Sequence, residues 1–195
     1  MSIPPSFRLF LLAALALLCG ACRTATESRT VRGRSAPEIL TVTDPIAEVL
    51  PLFGHRNWIV IADSAYPKQS AAGVRTVYVG GDQLDVVRRV LDAVDRAPHV
   101  RAKVRLDAEL DAVSEDLAPG IAAYRDALLP MLSGRPLQMI PHETLIERLD
   151  AASATFDVLI VKTDLTLPYT SVFLELDCGY WSGESEQAMR DAIDR

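Results

Sequence analysis

The sequence lacks the residue patterns that most metal sites require. It holds only three histidines and three cysteines in 195 residues, and no two histidines are spaced as i and i+4. Two of the cysteines, Cys19 and Cys22, fall in an N-terminal apolar segment, which leaves Cys178 alone in the rest of the chain. The ligand spacing of a zinc site is missing, so we expect neither a metal nor an intramolecular disulfide.

Glycine-rich phosphate loops and serine-nucleophile motifs are also missing. Neither GxGxxG nor the P-loop pattern occurs, and no GxSxG elbow surrounds a serine. Gly80-Gly81-Asp82 fits a tight turn before a helix better than a nucleotide site. Positive charge is not in excess either, since the formal net charge is -6 and the isoelectric point is about 5.1. We therefore expect no nucleotide cofactor and no nucleic-acid partner.

No apolar run is long enough for a membrane-spanning helix, which needs about 20 residues. The longest, LFLLAALALL at residues 9–18, follows Arg8 and is typical of the apolar core of a signal peptide. Cys19-Gly20-Ala21-Cys22 then resembles a bacterial lipobox, which predicts cleavage before Cys22 and lipid attachment to its thiol. The alternative is a plain secretory signal cleaved by ordinary signal peptidase. Either way, the sequence predicts an exported protein; with the lipid, it is a membrane-anchored lipoprotein of the periplasmic face or cell envelope.

The rest of the sequence predicts one α/β domain. Residues 1–21 are assigned to the signal peptide, and the Arg-, Thr- and Ser-rich residues 22–43 to a flexible tether. From residue 44 to 181, buried strands such as WIVIA and DVLIV alternate with helical patterns, which favours a largely parallel central sheet flanked by helices. Residues 182–195 read as a polar helical tail.

Polar residues at the ends of the predicted strands are the candidates for chemistry, because ligands of α/β sheets gather at the carboxyl ends of strands. Asp63 directly follows WIVIA, Lys162-Thr163-Asp164 follows DVLIV, and His142 begins a helix after LQMI. His55 precedes WIVIA. For His55, a capping or surface role is the alternative, and His99 fits a structural role better than a functional one.

Three stretches resemble a known family, the ribose pyranases and fucose mutarotases (RbsD/FucU). The first is GHRNWIVIADSAYP at residues 54–67, the second is PHETL at residues 141–145, and the third is VKTDLTLPYTSVFLELDCGYW at residues 161–181. Each is short, but their order and spacing together are specific. The resemblance implies the three-layer RbsD-like fold, with a largely parallel central sheet between helices.

The resemblance also implies a function and a set of residues. The family interconverts anomers and ring forms of aldoses, without a metal or cofactor, in ring-shaped homo-oligomers with sites between subunits. His55 matches the family's proton donor, and Asp63 matches a sugar-binding position. As a carboxylate, Asp63 can accept hydrogen bonds from sugar hydroxyls or take part in the catalysis by setting the charge of the histidine. His142 and Tyr169 match sugar-binding positions, and Ser171 stands where the family has a sugar-binding asparagine. Asn57 and Asp164 also depart from the family pattern.

Three hypotheses follow from the sequence. The first is an exported sugar mutarotase or pyranase, in which histidine supplies acid/base catalysis because both of its protonation states are accessible near neutral pH. The second is a lipoprotein that binds a monosaccharide without catalysis, which the three departures at residues 57, 164 and 171 motivate. The third is a structural ring on a membrane surface, which would not need both histidines, Asp63 and Tyr169.

Overall fold

A computed structural model describes residues 43–194 of the chain, with side chains from residue 45 onward. The predicted signal peptide, Cys22 and nearly all of the tether lie outside the described residues. Six strands form one sheet: β1 (Trp58–Ala62), β2 (Val74–Tyr78), β3 (Val100–Asp107), β4 (Leu137–Ile140), β5 (Val158–Lys162) and β6 (Val172–Cys178). Six helices are described: α1 (Thr43–Val49), α2 (Gln83–Asp95), α3 (Glu109–Ala112), α4 (Ile121–Met131), α5 (His142–Ser153) and α6 (Gly183–Ile193). None of these helices is long and apolar enough to cross a membrane.

The strands are arranged in the order β2-β5-β1-β6-β3-β4. β2, β5 and β1 pair in parallel, and so do β3 and β4, whereas β6 is antiparallel to both of its neighbours. Five strands therefore run in one direction and β6 runs against them. This confirms the prediction of a largely parallel sheet.

Apolar clusters cover both faces of the sheet, which gives the three layers. On one face, Ile59 and Ile61 of β1 pack in the cluster that includes residues of α1, α2 and α4. On the other face, Trp58 and Val60 pack in the cluster that contains Leu145 of α5. All five residues of β1 are buried, because a strand covered on both faces has no polar side to expose. The predicted α/β fold of helices flanking a sheet is confirmed.

Local sequence patterns predicted the bounds of most helices and strands closely, but three elements differ from the prediction. α2 begins after Asp82, whose side chain accepts a hydrogen bond from the Asp85 N–H, as a good N-cap should. The final strand was predicted from Tyr169 but begins at Val172, because Tyr169 has a left-handed φ of 55° that a strand cannot contain. β3 was predicted to be half-exposed, yet its last four residues are buried. The short helix α3 was not predicted.

Candidate functional site

Four polar side chains meet at one edge of the sheet. Asp63 follows β1, Ser171 precedes β6, Asp107 ends β3, and His142 follows β4 by two residues. Because these strands are neighbours in the order β1-β6-β3-β4, and β6 runs in the opposite direction, all four positions fall on the same edge. They line a cavity of about 450 Å³ together with Ala65, Tyr66, Pro67, Gln69, Glu143, Ile146, Pro168 and Tyr169. We call this the carboxyl-edge cavity.

His142 is held in this cavity by three neighbours. It is the first residue of α5, and Pro141 before it provides no side-chain cap. The Glu109 carboxylate of α3 fills that role, because both of its oxygens lie 3.0–3.1 Å from the His142 backbone nitrogen. The imidazole Nδ1 lies 3.0 Å from Asp107 Oδ1. The ring also packs edge-to-face on Tyr169, with 5.5 Å between ring centroids.

Asp107 is an unusual residue for the end of a strand. It is 1% exposed, and among the described residues its Oδ2 has no hydrogen-bond partner. Burial raises the pKa of its carboxyl group to about 6, although the contact with His142 acts to lower it; the nearby acids Glu109 and Asp63 raise it further. This carboxyl group can therefore change its charge close to neutral pH.

The two carboxylate oxygens of Asp63 differ in their hydrogen bonds. Its Oδ1 accepts hydrogen bonds from the Ala65 and Tyr66 N–H groups, at 2.8 and 3.1 Å. Its Oδ2 lies 3.5 Å from Ser171 Oγ, a long contact that leaves this oxygen available to a ligand hydroxyl. Tyr66 beside it is buried, and its hydroxyl has no partner among the described residues. Burial is the main reason why the pKa of the Tyr66 hydroxyl is raised.

A buried polar network fixes the loop that carries Tyr169 and Ser171. Gln83 of α2 donates from Nε2 to the Thr170 carbonyl and to the Tyr124 hydroxyl, at 2.6 and 2.8 Å. The Tyr124 hydroxyl itself donates to the Thr170 carbonyl, and Thr163 Oγ1 lies 2.9 Å from Gln83 Oε1. Gln83 is 1% exposed. The network thus holds Thr170 between the two cavity residues, so Tyr169 keeps its left-handed backbone conformation.

The structure does not bring His55 to this cavity within one chain. His55 is exposed and lies before β1, whereas Asp63 lies after it. A five-residue strand spans roughly 17 Å, so the two residues face opposite edges of the sheet. His55 lines a second cavity, of about 870 Å³, with Arg101, Lys103, Asp177, Cys178, Tyr180, Trp181, Ser182, Gly183, Glu186 and Met189. We call this the His55 cavity.

Two of the three departures from the family pattern have local structural roles. Asn57 Oδ1 accepts from the Gly54 N–H at 2.8 Å, and its Nδ2 donates to the Asp157 carbonyl at 3.1 Å, which fixes the turn around His55. Asp164 accepts from the Tyr78 hydroxyl and the Gly81 N–H, at 2.5 and 2.7 Å. Neither residue lines the carboxyl-edge cavity. Of the three residues that depart from the family pattern, only Ser171 lines this cavity.

The remaining histidine has a structural contact. His99 Nε2 lies 3.0 Å from the Leu50 carbonyl oxygen, which ties the start of β3 to the segment after α1. In residues 43–194, no group of three or more His, Cys, Asp or Glu side chains is arranged to hold a metal ion.

Sequence reasoning missed Asp107, Glu109 and Tyr66. The signal for Asp107 was present, because it ends a strand just as Asp63 follows one. It was overlooked because the alternating pattern of HVRAKVRL predicted a half-exposed strand. Glu109 could not be recognised, since its partner is the backbone of a residue 33 positions away.

A known protein family matches most of the chain. The model of the RbsD / FucU transport protein family matches residues 38–178, and the chain belongs to this family. The structure is similar to that of Bacillus subtilis RbsD complexed with D-ribose, at 19% identity and a TM-score of 0.49, covering 71% of this chain and 94% of that one. It is also similar to the fucose mutarotase of Streptococcus pneumoniae in complex with L-fucose, at 20% identity and a TM-score of 0.48, covering 74% and 97%. Among curated proteins, none matches the sequence significantly.

Proposed function

We propose that this chain, as a member of the RbsD/FucU family, binds a monosaccharide in the carboxyl-edge cavity and interconverts its anomers or ring forms. The observation that carries the proposal is the pair of His142 and buried Asp107 in the wall of a cavity that also presents Asp63, Tyr169 and Ser171. Carboxylates, hydroxyls and aromatic rings are the groups that bind sugar hydroxyls and the apolar faces of sugar rings. A histidine adds a ring nitrogen that can accept or donate a proton.

Opening the sugar ring needs two proton transfers, closing it needs the same two in reverse, and no other reagent is required. One group takes the proton of the anomeric hydroxyl, and the electron pair left on that oxygen forms the carbonyl. The bond between the anomeric carbon and the ring oxygen breaks, and a second group protonates the ring oxygen. The open-chain aldehyde rotates about its C–C bond, and the same hydroxyl attacks the other face of the carbonyl, or a different hydroxyl attacks to give another ring size. In this closing step the second group takes the proton of the attacking hydroxyl, and the first group returns a proton to the carbonyl oxygen.

A role for His55 as the proton donor requires a second copy of the chain. Since His55 and Asp63 lie at opposite edges of the sheet, only the His55 of a neighbouring copy could approach the carboxyl-edge cavity. The ring-shaped homo-oligomers implied by the family resemblance, with sites between subunits, would provide this arrangement. The exposure of His55, and of Tyr180 and Trp181 in the same cavity, supports a contact surface there.

Saturation-transfer NMR tests the proposal directly. The purified protein is added to ribose, fucose, galactose or glucose, and the exchange of magnetisation between anomers or ring forms is measured. We expect exchange faster than in buffer for at least one sugar, and a loss of about 10²-fold or more in His55→Ala and Asp63→Asn. Glu147→Gln, at an exposed position of α5 outside the cavity, should exchange like the wild type.

A sugar-binding protein without catalysis is the alternative, and the same experiment separates the two. A sugar that binds in the carboxyl-edge cavity but exchanges no faster than in buffer would establish binding alone and contradict the isomerase. Absence of both binding and exchange for every sugar would favour a structural ring. The proposed membrane anchor is tested separately, by incorporation of labelled palmitate that should be lost in Cys22→Ser.

A further inference from the structure

We propose that Asp107 is the positioning residue of His142: its carboxylate holds the imidazole in the tautomer with hydrogen on Nδ1, so that Nε2 carries the free lone pair. The tautomer follows from contacts within the chain and stands without any ligand. Its consequence rests on the proposed function: Nε2 is then the atom that takes the proton of the anomeric hydroxyl.

The backbone holds the two side chains at a fixed separation. Asp107 pairs with Ile140 in the parallel register of β3 and β4, and His142 comes two residues after Ile140. The next residue after Asp107, Ala108, donates its N–H to the Ile140 carbonyl at 2.9 Å. Glu109 then accepts from the His142 N–H. Strand pairing and helix capping thus lock both ends of the contact between Nδ1 and Oδ1, which measures 3.0 Å.

The chemistry of the contact decides the tautomer. An ionised carboxylate has no hydrogen and can only accept, so the nitrogen that faces it must be the donor. Nδ1 therefore carries the hydrogen. The lone pair is left on Nε2, on the other side of a ring that lines the cavity, and Nε2 has no hydrogen-bond partner among residues 43–194. A carboxylate that orients a histidine in this way also stabilises the imidazolium that forms when Nε2 accepts a proton.

The contacts of Asp107 fit a role in catalysis better than a role in stabilising the fold. A buried carboxylate with a purely structural role normally has partners for both oxygens, whereas Oδ2 of Asp107 has none in the described part of the chain. No lysine or arginine lines the cavity. The nearest arginine on the same strand, Arg105, pairs with Glu175 instead. His142 is thus the group that stabilises the negative charge of Asp107.

Several acidic groups surround this pair and bear on its pH dependence. Asp107 faces His142 of α5, Glu109 of α3 and Asp63 after β1, and both acids disfavour its ionised form. Tyr66, Tyr169 and Glu143 line the same cavity. Because Asp107 ionises near pH 6, the orienting carboxylate is present above that pH and is lost below it.

Two measurements test the proposal. The chain has three histidines, so ¹⁵N-histidine labelling gives few signals, and those of His142 are identified by their loss in His142→Gln. At pH 7.5, without sugar, we expect wild-type His142 as the Nδ1–H tautomer. In Asp107→Asn, we expect a mixture with the Nε2–H form, because a neutral amide no longer requires a donor at Nδ1. Anomer exchange should fall by about 10²-fold, because the imidazole is no longer held with its free lone pair on Nε2.

Glu147→Gln is the matched control, since it makes the same carboxylate-to-amide change on α5 away from the cavity. It should keep the wild-type tautomer, rate and pH profile. An Nε2–H tautomer in the wild type would overturn the proposal, even if Asp107→Asn did not fold. A folded Asp107→Asn with unchanged tautomer and rate would overturn it as well. If no sugar exchanges, the proposed function fails while the tautomer still decides whether Asp107 positions His142.

Discussion

The Asp107 carboxyl group is buried, and its hydrogen-bond partner in the described part of the chain is the imidazole of His142. Its pKa is raised from 3.8 to about 6, chiefly by burial. The folded chain therefore binds the proton of the Asp107 carboxyl group more tightly than the unfolded chain does. The corresponding stabilisation is fully present below about pH 4 and is lost as the pH rises through about 6. At higher pH the buried charge lowers the free energy of unfolding.

Replacing this residue should consequently stabilise the protein at alkaline pH. We expect Asp107→Asn to raise the free energy of unfolding at pH 8 by up to about 3 kcal/mol, since one pKa unit corresponds to about 1.4 kcal/mol. The difference from the wild type should shrink towards zero at pH 4, where both side chains are neutral. Urea denaturation at the two pH values measures it, with Glu147→Gln as the control. A wild type as stable as the variant at pH 8 would contradict the prediction.

The segment between β5 and β6 is positioned by hydrogen bonds from elements distant in sequence. Gln83 of α2 and Tyr124 of α4 both donate to the carbonyl of Thr170, and Gln83 also contacts Thr163. The segment brings Tyr169 and Ser171 to the cavity without belonging to a strand or helix itself. Its geometry therefore depends on α2 and α4.

Loss of Gln83 should therefore affect both stability and ligand binding. In Gln83→Leu, the buried hydroxyl and carbonyl groups lose a partner, so we expect about 2 kcal/mol of destabilisation. Sugar binding should weaken by about tenfold, because the loop no longer holds Tyr169 against His142. Urea denaturation and sugar titration by NMR measure the two effects. Arg89→Leu, at an exposed position of the same helix, should change neither. Unchanged sugar affinity in a destabilised variant would mean that the network does not position Tyr169.

At the scale of the whole molecule, the two cavities lie at opposite edges of one sheet. Asp63, Asp107 and His142 line one of them, and His55 lines the other. If the proposed site needs both edges, it forms only where two copies of the chain meet. The described residues after the family match, including Trp181 and α6, lie around His55, so they would take part in that contact.

Mixed oligomers test whether two copies share a site. Coexpressed His55→Ala and Asp63→Asn chains should recover about a quarter of the wild-type exchange rate, because random assembly pairs an intact His55 with an intact Asp63 in one interface of four. A mixture of Asp63→Asn with His142→Ala should recover nothing, since no copy then has an intact carboxyl-edge cavity. Recovery in neither mixture, or full activity in a monomer by size-exclusion chromatography, would show that His55 does not act between copies.

The sequence by itself determined most of the helices and strands and some of the residues of the candidate site. The apolar run WIVIA, the cap at Asp82 and the strand LQMI depend on neighbours in the chain, so they could be predicted from local patterns. Asp63, His142, Tyr169 and Ser171 were predicted and do share a cavity. Only the tertiary structure decided their partners. The order β1-β6-β3-β4 places Asp107 against a histidine 35 positions away and sends His55 to the opposite edge, because strand order is fixed by packing across the whole sheet.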